Sequence, residues 1–240
     1  MKGKLIVVEC TDCSGRETQT KLLIEHMKKE GLKVEKFSFP MYDTPTGKIV
    51  GGPYLGKSYI CNGWFSEGAA LVDGKVASLY YAADRLYNIK SITNLLDSGV
   101  NVILDRYVYS NMAHQGGKLP TKEKRSEMYK WLSTLEFDLL GLPIPDIKIF
   151  LHLPYEGSCI LRKSRSAKEA LDELESNEEH LKIAERAYTE IASEFGFDTI
   201  ECMENDRIKS IEEINKELLR AVESKLKRGK QKIKWVKRAN

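Results

Sequence analysis

Between a short aliphatic run, Leu5 to Val8, and a helical pattern lies Glu9-Cys10-Thr11-Asp12-Cys13-Ser14-Gly15-Arg16-Glu17-Thr18-Gln19. That is where a phosphate-binding loop would stand: a strand, a tight turn, then a helix N-terminus whose free N–H groups face an anion. Against the pattern G-x-x-x-x-G-K-[ST], Cys10 takes the place of the first Gly, Arg16 of the Lys and Glu17 of the Ser/Thr, and only Gly15 is kept. The motif alone does not separate a phosphate cradle from an ordinary strand-to-helix turn. The same residues spell Cys10-Thr11-Asp12-Cys13, a C-x-x-C at a helix N-terminus, where the dipole lowers a thiol pKa and a redox pair could sit. A metal site is the poorer reading, because no second C-x-x-C or nearby Cys/His pair completes four ligands. Two small residues packed under a loop is the simplest.

Further along stands Asp105-Arg106-Tyr107, followed by Ser110, Asn111 and His114-Gln115-Gly116-Gly117. A carboxylate beside a guanidinium at a strand's carboxyl end suits magnesium and phosphate respectively, the acid through metal-bound water and the fork through bidentate bonds. A structural ion pair capping the strand is the alternative. Tyr81 and Arg85 are one helical turn apart, a ring that could stack on a flat base and a five-donor fork that could bond its carbonyl edge, or else surface decoration. Phe37-Ser38-Phe39-Pro40-Met41-Tyr42 adds two aromatics that a core strand explains and one, Tyr42, that lies beyond the proline.

The elements that must position these groups follow from hydrophobic period. β-rich runs at Lys4–Val8, Lys33–Ser38, Val100–Leu104, Ile147–Leu153 and Phe197–Cys202 alternate with helical patterns at Glu17–Glu30, Lys75–Ser98, Lys122–Leu135 and Glu178–Phe195. That alternation predicts an α/β fold, a five-stranded parallel sheet flanked by helices. On Lys75–Ser98, Val76, Leu79, Tyr80, Ala83, Leu86 and Tyr87 are expected to form the buried stripe. A last helix opens on a capping box, Ser210 with Glu213, and carries Ile211, Ile214, Leu218, Val222 and Leu226 on one face. Two stretches break the rhythm: Gly47 to Gly74, with seven of the seventeen glycines, and the polar segment Ser164 to Asn177, both expected to be functional loops or lids. In open parallel sheets the ligand sits beyond the carboxyl ends of the strands, which is where the chemical residues above fall.

Composition narrows the class. With 42% apolar and 30% charged residues in 240, disorder, collagen and coiled coil are excluded. The aliphatic run near the start is far short of a signal-peptide core or the roughly 20 residues of a membrane span, so a cytoplasmic chain beginning at its own start and without a membrane partner is expected. The net charge of +3 hides an asymmetry: the last sixteen residues hold eight Lys/Arg and no Asp/Glu, leaving a net of −5 for the rest. Such a tail could touch nucleic acid or anionic membrane, but a solvated terminus is the expectation, with no nucleic-acid partner. One domain over 1–224 and a basic tail over 225–240 are expected. Five cysteines, an odd number without an export signal, argue against a disulfide framework.

Taken in order, these segments resemble the thymidylate kinases, P-loop enzymes that move the γ-phosphoryl group of ATP to dTMP. The resemblance spans Lys4 to about Val222. It rests most on Phe39-Pro40-Met41-Tyr42, Ala82-Ala83-Asp84-Arg85, Asp105-Arg106-Tyr107 with Ser110 and Asn111, and Thr18-Gln19. It implies a fold of P-loop nucleoside monophosphate kinase type, Mg2+ and ATP as cofactor and donor, and a homodimer. By position it implies that Tyr81 stacks on thymine while Arg85 and Asn111 bond its polar edge, and that Arg106, Phe39 and Tyr42, with Ser110 and Gln115 beside them, position the nucleotide. Asp12 would approach the sugar hydroxyl and, with Asp105, organise magnesium. Cys10, Thr11, Asp12, Cys13, Ser14, Gly15, Arg16, Glu17 and Thr18 would line the ATP phosphates. The lid would bring Arg162, Lys163 and Arg165, since Cys13 is uncharged where one subgroup carries a catalytic arginine. An arginine donor at position 85 favours a thymine or uracil carbonyl over the amino group of cytosine. The departures at Cys10 and Arg16 predict weakened turnover, because Cys10 adds a Cβ, with an effect set by the local φ, where Gly usually permits the tight turn, and a planar fork does not enter the cradle as an ammonium does. Three readings stay open: an active dTMP kinase, a nucleotide-binding protein that keeps the dTMP pocket without efficient transfer, and redox gating at Cys10/Cys13.

Overall fold

The structure is a computed structural model that describes residues 2–11, 15–164 and 178–236. Asp12, Cys13, Ser14, Arg165 and the rest of the expected lid, and the end of the tail lie outside the described residues, as do the side chains of Arg162 and Lys163.

In chain order the elements are β1 (Leu5–Cys10), α1 (Arg16–Lys29), β2 (Val34–Ser38), α2 (Pro45–Ile49), α3 (Gly74–Asp97), β3 (Asn101–Asp105) and α4 (Val108–Asn111). Then come α5 (Lys122–Ser133), β4 (Ile147–His152), α6 (Tyr155–Ser164), α7 (Glu178–Glu194), β5 (Asp198–Glu201), the hairpin β6 (Met203–Glu204) and β7 (Arg207–Ile208), and α8 (Ile211–Val236). Wide helical turns extend α2 over Val50–Tyr54, α4 over Met112–Gly116 and α5 over Thr134–Leu139. β1 to β5 form one parallel sheet in the order β2-β3-β1-β4-β5. The expected α/β fold and all five of its strands are present, each within a residue or two of its expected ends.

Why β1 is central can be read from its side chains. Leu5 and Val7 enter the core on one face, Ile6, Val8 and Cys10 the core on the other, so both faces must be covered. The chain order reverses at β1, which lies between β3 and β4, and this is where an open parallel sheet leaves a crevice beyond its strand ends. The capping box of α8 forms: Ser210 N–H donates to Glu213 at 2.7 Å and Glu213 N–H to Ser210 Oγ at 3.2 Å. Gly47 is required by close approach, since a Cβ there would lie 1.8 Å from the Met41 carbonyl oxygen.

Two expected burial patterns are corrected. On α3 the apolar positions Val76, Leu79, Leu86 and Tyr87 are exposed, while Ser78, Asp84, Arg85 and Asn88 are buried. The helix turns its polar residues inward because partners wait there, as described below, and its apolar stripe lies on the surface. On α8, Ile214, Leu218 and Val222 are buried as expected, but Ile211, in the first turn, is exposed.

At the end of β4, His152 is held between two carboxylates, Nδ1 2.7 Å from Glu201 and Nε2 3.0 Å from Glu185. Glu185 also accepts the Tyr155 N–H at 2.9 Å, tying α7 to the start of α6. The hydrogen bond to Glu185, helped by Glu201, raises the imidazole above its ordinary 6.5 against the opposing effect of burial. A pKa raised in the folded state means stability that is whole below 6.5 and lost as pH rises through the raised value. Urea titrations from about pH 6 to about pH 9 should therefore show the parent losing on the order of 1 kcal/mol that a His152→Gln variant does not lose.

Candidate active site

Gly15 opens α1 with φ 75° and ψ 20°, a left-handed conformation that suits glycine, and among the described residues no side chain caps the first turn. The N–H groups of Arg16, Glu17 and Thr18 are thus left for an anion. Glu17 and Thr18 are exposed at that end. Thr11 faces away: its hydroxyl donates to the Leu153 carbonyl at 2.8 Å and accepts the Leu153 N–H at 3.0 Å, pinning the loop's start to β4. Cys10 is buried, and Arg16 Nη1 lies 3.2 Å from its Sγ. Gln19 is buried and bonds Ile211 O at 2.9 Å, so it serves the α1–α8 contact.

Across from this turn, β3 ends at Asp105, whose carboxylate meets Arg16 Nε with one oxygen and Lys36 Nζ at 2.8 Å with the other. Asp105, expected to organise magnesium, is occupied by two protein cations. Glu9, the other acid nearby, is closed off by its own partners. Among the described residues no three His, Cys, Asp or Glu side chains converge as metal ligands. With both oxygens facing protein cations, Asp105 fits contact with magnesium through metal-bound water better than a direct bond.

The next residue, Arg106, has φ 69°, an unfavourable conformation for a non-glycine residue. It is held by a network that starts at Glu9. Glu9 accepts the N–H groups of Tyr107 and Ser110 at 2.9 and 3.2 Å and the Ser110 hydroxyl at 2.5 Å. Tyr188 donates to Ser110 Oγ at 3.0 Å, and Arg106 Nη1 reaches Tyr188 Oη at 3.2 Å and His114 Nε2 at 3.1 Å. Burial raises the Glu9 pKa, against the Ser110 hydrogen bond and the charge of Arg106. The network fixes a half-buried guanidinium at the carboxyl end of β3, aimed by backbone as well as side chain.

The residues expected at the base come from α3, α4 and the turn that extends α4. Tyr81 lies edge-on to Tyr54 with ring centroids 5.8 Å apart, and burial raises its hydroxyl pKa, so it stays a neutral phenol. Arg85, only 2% exposed, makes a two-pronged ion pair with Glu136, which is 0% exposed: Nη2 lies 2.6 Å from Oε1, and Nε contacts Oε2. Asn111 Nδ2 lies 3.4 Å from Glu136 Oε1, while its Oδ1 and Gln115 Oε1 are buried acceptors with no hydrogen-bond partner among the described residues. Buried acceptors without donors are rare in proteins and fit a ligand's N–H groups. Asp84 clamps the segment after β2 onto α3, accepting Met41 N–H, Thr46 Oγ1 and Asn88 Nδ2, each at 2.9 Å. Of the two aromatics expected at the nucleotide, Tyr42 is half-buried with Lys57 Nζ 5.2 Å from its ring centre. Phe39, joined to Pro40 by a cis peptide bond, is a core residue with its ring centre 6.2 Å from that of Tyr107. It supports the segment from the core.

The expected residues Arg16, Asp105, Arg106, Ser110, Tyr81, Arg85, Asn111 and Gln115 thus gather at the strand ends around β1. Sequence reasoning missed Glu9, Lys36, Asp84, Glu136 and Tyr188. Glu9 could have been found as a carboxylate inside an otherwise apolar strand, which demands a buried partner. Glu136 follows the expected end of its helix by one residue and carries no comparable signal.

Residues 8–218 match a family model described as thymidylate kinase. The thymidylate kinase of Schizosaccharomyces pombe is 28% identical over 218 residues, covering 91% of this chain and 90% of that protein. A probable thymidylate kinase of Thermococcus onnurineus is 33% identical over 216 residues, covering 86% of this chain and 96% of that one. Among solved structures, the thymidylate kinase from Candida albicans shares the fold with a TM-score of 0.68 at 22% identity, over 93% of this chain and 92% of that chain. The family match runs through every strand that contributes to the site, and the chain belongs to the thymidylate kinase family.

Proposed function

We propose that this chain transfers the γ-phosphoryl group of ATP to dTMP, giving ADP and dTDP. The observation that carries the reading is the juxtaposition, around the end of β1, of an uncapped helix start bearing Arg16 with the Arg106 network and the Tyr81–Arg85–Asn111 pocket. ATP phosphates lie on the first turn of α1 with Arg16 as their cation. The thymine ring stacks on Tyr81, Arg85 donates to a carbonyl of its edge, and the free Oδ1 of Asn111 accepts its ring N–H. Arg106 grips the dTMP phosphate and fixes its line of approach. Such a reaction needs positioning and positive charge more than covalent chemistry from the protein. Magnesium, when bound with ATP, would neutralise phosphate charge, with Asp105 placed to meet it through water. Asp12 at the sugar and Arg162 and Arg165 from the lid complete the proposed site.

The proposal extends to the whole chain: one kinase domain over residues 1–224, a lid over 164–177, a basic tail over 225–240 and a cytoplasmic location. No described helix is long and apolar enough to cross a membrane. A homodimer is supported by α3, whose exposed Val76, Leu79, Leu86 and Tyr87 form one apolar stripe at helical spacing. Leu79→Glu should shift the chain to monomer by sedimentation. The test of function is ADP formation from Mg–ATP with dTMP, against ATP alone and against dCMP as acceptor. ADP dependent on dTMP and much weaker with dCMP is the expected result.

A further inference from the structure

Lys36 is the cation of the site that no loop motif announces. It lies on the edge strand β2, in register with Ile103, while Ser38 is in register with Asp105. Lys36 therefore projects on the face of the sheet where Ile103 packs with Leu23 and Met27 of α1. Its ammonium ends 2.8 Å from Asp105 Oδ2, while Arg16 Nε meets Oδ1. Two cations share one carboxylate that is 6% exposed, so the cluster keeps one positive charge in excess.

The two cations are held differently. Arg16 touches Asp105 through Nε, yet neither Nε nor Asp105 Oδ1 has a hydrogen bond of good alignment, and the Nη1 contact is to the Cys10 thiol, a weak acceptor. Exchanging these for phosphate oxygens would give the fork two strong charge-assisted bonds. The obstacle is Asp105, which would be left as a nearly buried carboxylate beside incoming phosphates. Lys36 removes that obstacle by remaining on it.

We propose that Lys36 is a positioning residue of the donor site: it keeps Asp105 neutralised so that Arg16 can turn to the ATP phosphates, and adds from β2 an ammonium charge that the loop lacks. This rests on the reading of the site as an ATP-dependent kinase. Lysine suits the task as a compact charge on a long stem reaching in from a strand, where a planar fork would collide with Arg16. Without Lys36, Arg16 becomes the sole partner of Asp105 and is locked away from ATP.

The test is calorimetric binding of Mg–ATP and, separately, of dTMP to the full chain and to Lys36→Met, Lys36→Arg and Lys36→Met/Asp105→Asn. Lys36→Met should weaken ATP binding about tenfold or more while dTMP binding, which also reports folding, stays within about twofold. Lys36→Arg should recover part of the loss, and the double change most of it, since an amide no longer holds Arg16. If Lys36→Met binds ATP like the parent, or loses ATP and dTMP equally, the inference is overturned. Further weakening by the added Asp105→Asn also overturns it, because Asp105 would then be serving ATP directly. The reading of the site itself fails on a different result, a parent chain that binds neither nucleotide.

Discussion

Glu136→Gln should destabilise the chain by about 3–5 kcal/mol and weaken dTMP binding in the same step. Arg85 is a fully buried guanidinium with Nε and Nη2 both committed to Glu136. Burial disfavours its charged form, and the carboxylate of Glu136 outweighs that by raising its pKa. A neutral amide leaves the cation in place without its counter-charge, the costly way to break a buried pair. Removing both members is different. Arg85→Met/Glu136→Leu substitutes apolar groups of similar size and should fold with stability near the parent's. It should nonetheless bind dTMP about 100-fold more weakly, because the donor to the base is gone. Urea unfolding and dTMP titration of both variants separate the two effects. Double-variant binding equal to the parent's would remove Arg85 from the pocket.

Arg16→Met should lower the rate of dTMP-dependent ADP formation by about 10²–10³-fold with dTMP binding unchanged. Arg16 is partly exposed, at the uncapped start of α1, and is the described cation nearest to where phosphates would rest. Its loss takes charge from the transferring oxygens and leaves the core intact, so stability should hold. Arg16→Lys keeps the charge in a compact form and should match or exceed the parent rate. Equal rates for Arg16→Met and the parent would mean that the loop arginine is not the donor-site cation.

Much of the scaffold was legible in the sequence because strands buried on both faces are short, apolar and β-branched, and those runs fell where β1 to β5 lie. Asp105 and Arg106 were legible because position at a strand end and residue type agree. What was missed is charged residues whose partners are distant in sequence. Glu136 meets Arg85 across 51 positions, and Glu9 meets Ser110 across 101. No local pattern carries such a pairing. Lys36 sits in an edge strand and reads as a solvated lysine until Asp105 is placed beside it. α3 was read with the wrong face inward because period shows that a helix is two-sided but not which side faces a site. Here the polar side is needed inside, and the apolar stripe is left on the surface.

The proposed reaction moves a phosphoryl group from ATP to dTMP with an arginine in the phosphate loop. Incubation with γ-labelled ATP, magnesium and dTMP, followed by separation of the nucleotides, tests it most directly. Label is expected in dTDP, dependent on dTMP and lost in the Arg16→Met variant. Label remaining in ATP or released as inorganic phosphate, while dTMP binds, would contradict it and leave a nucleotide-binding protein without transfer.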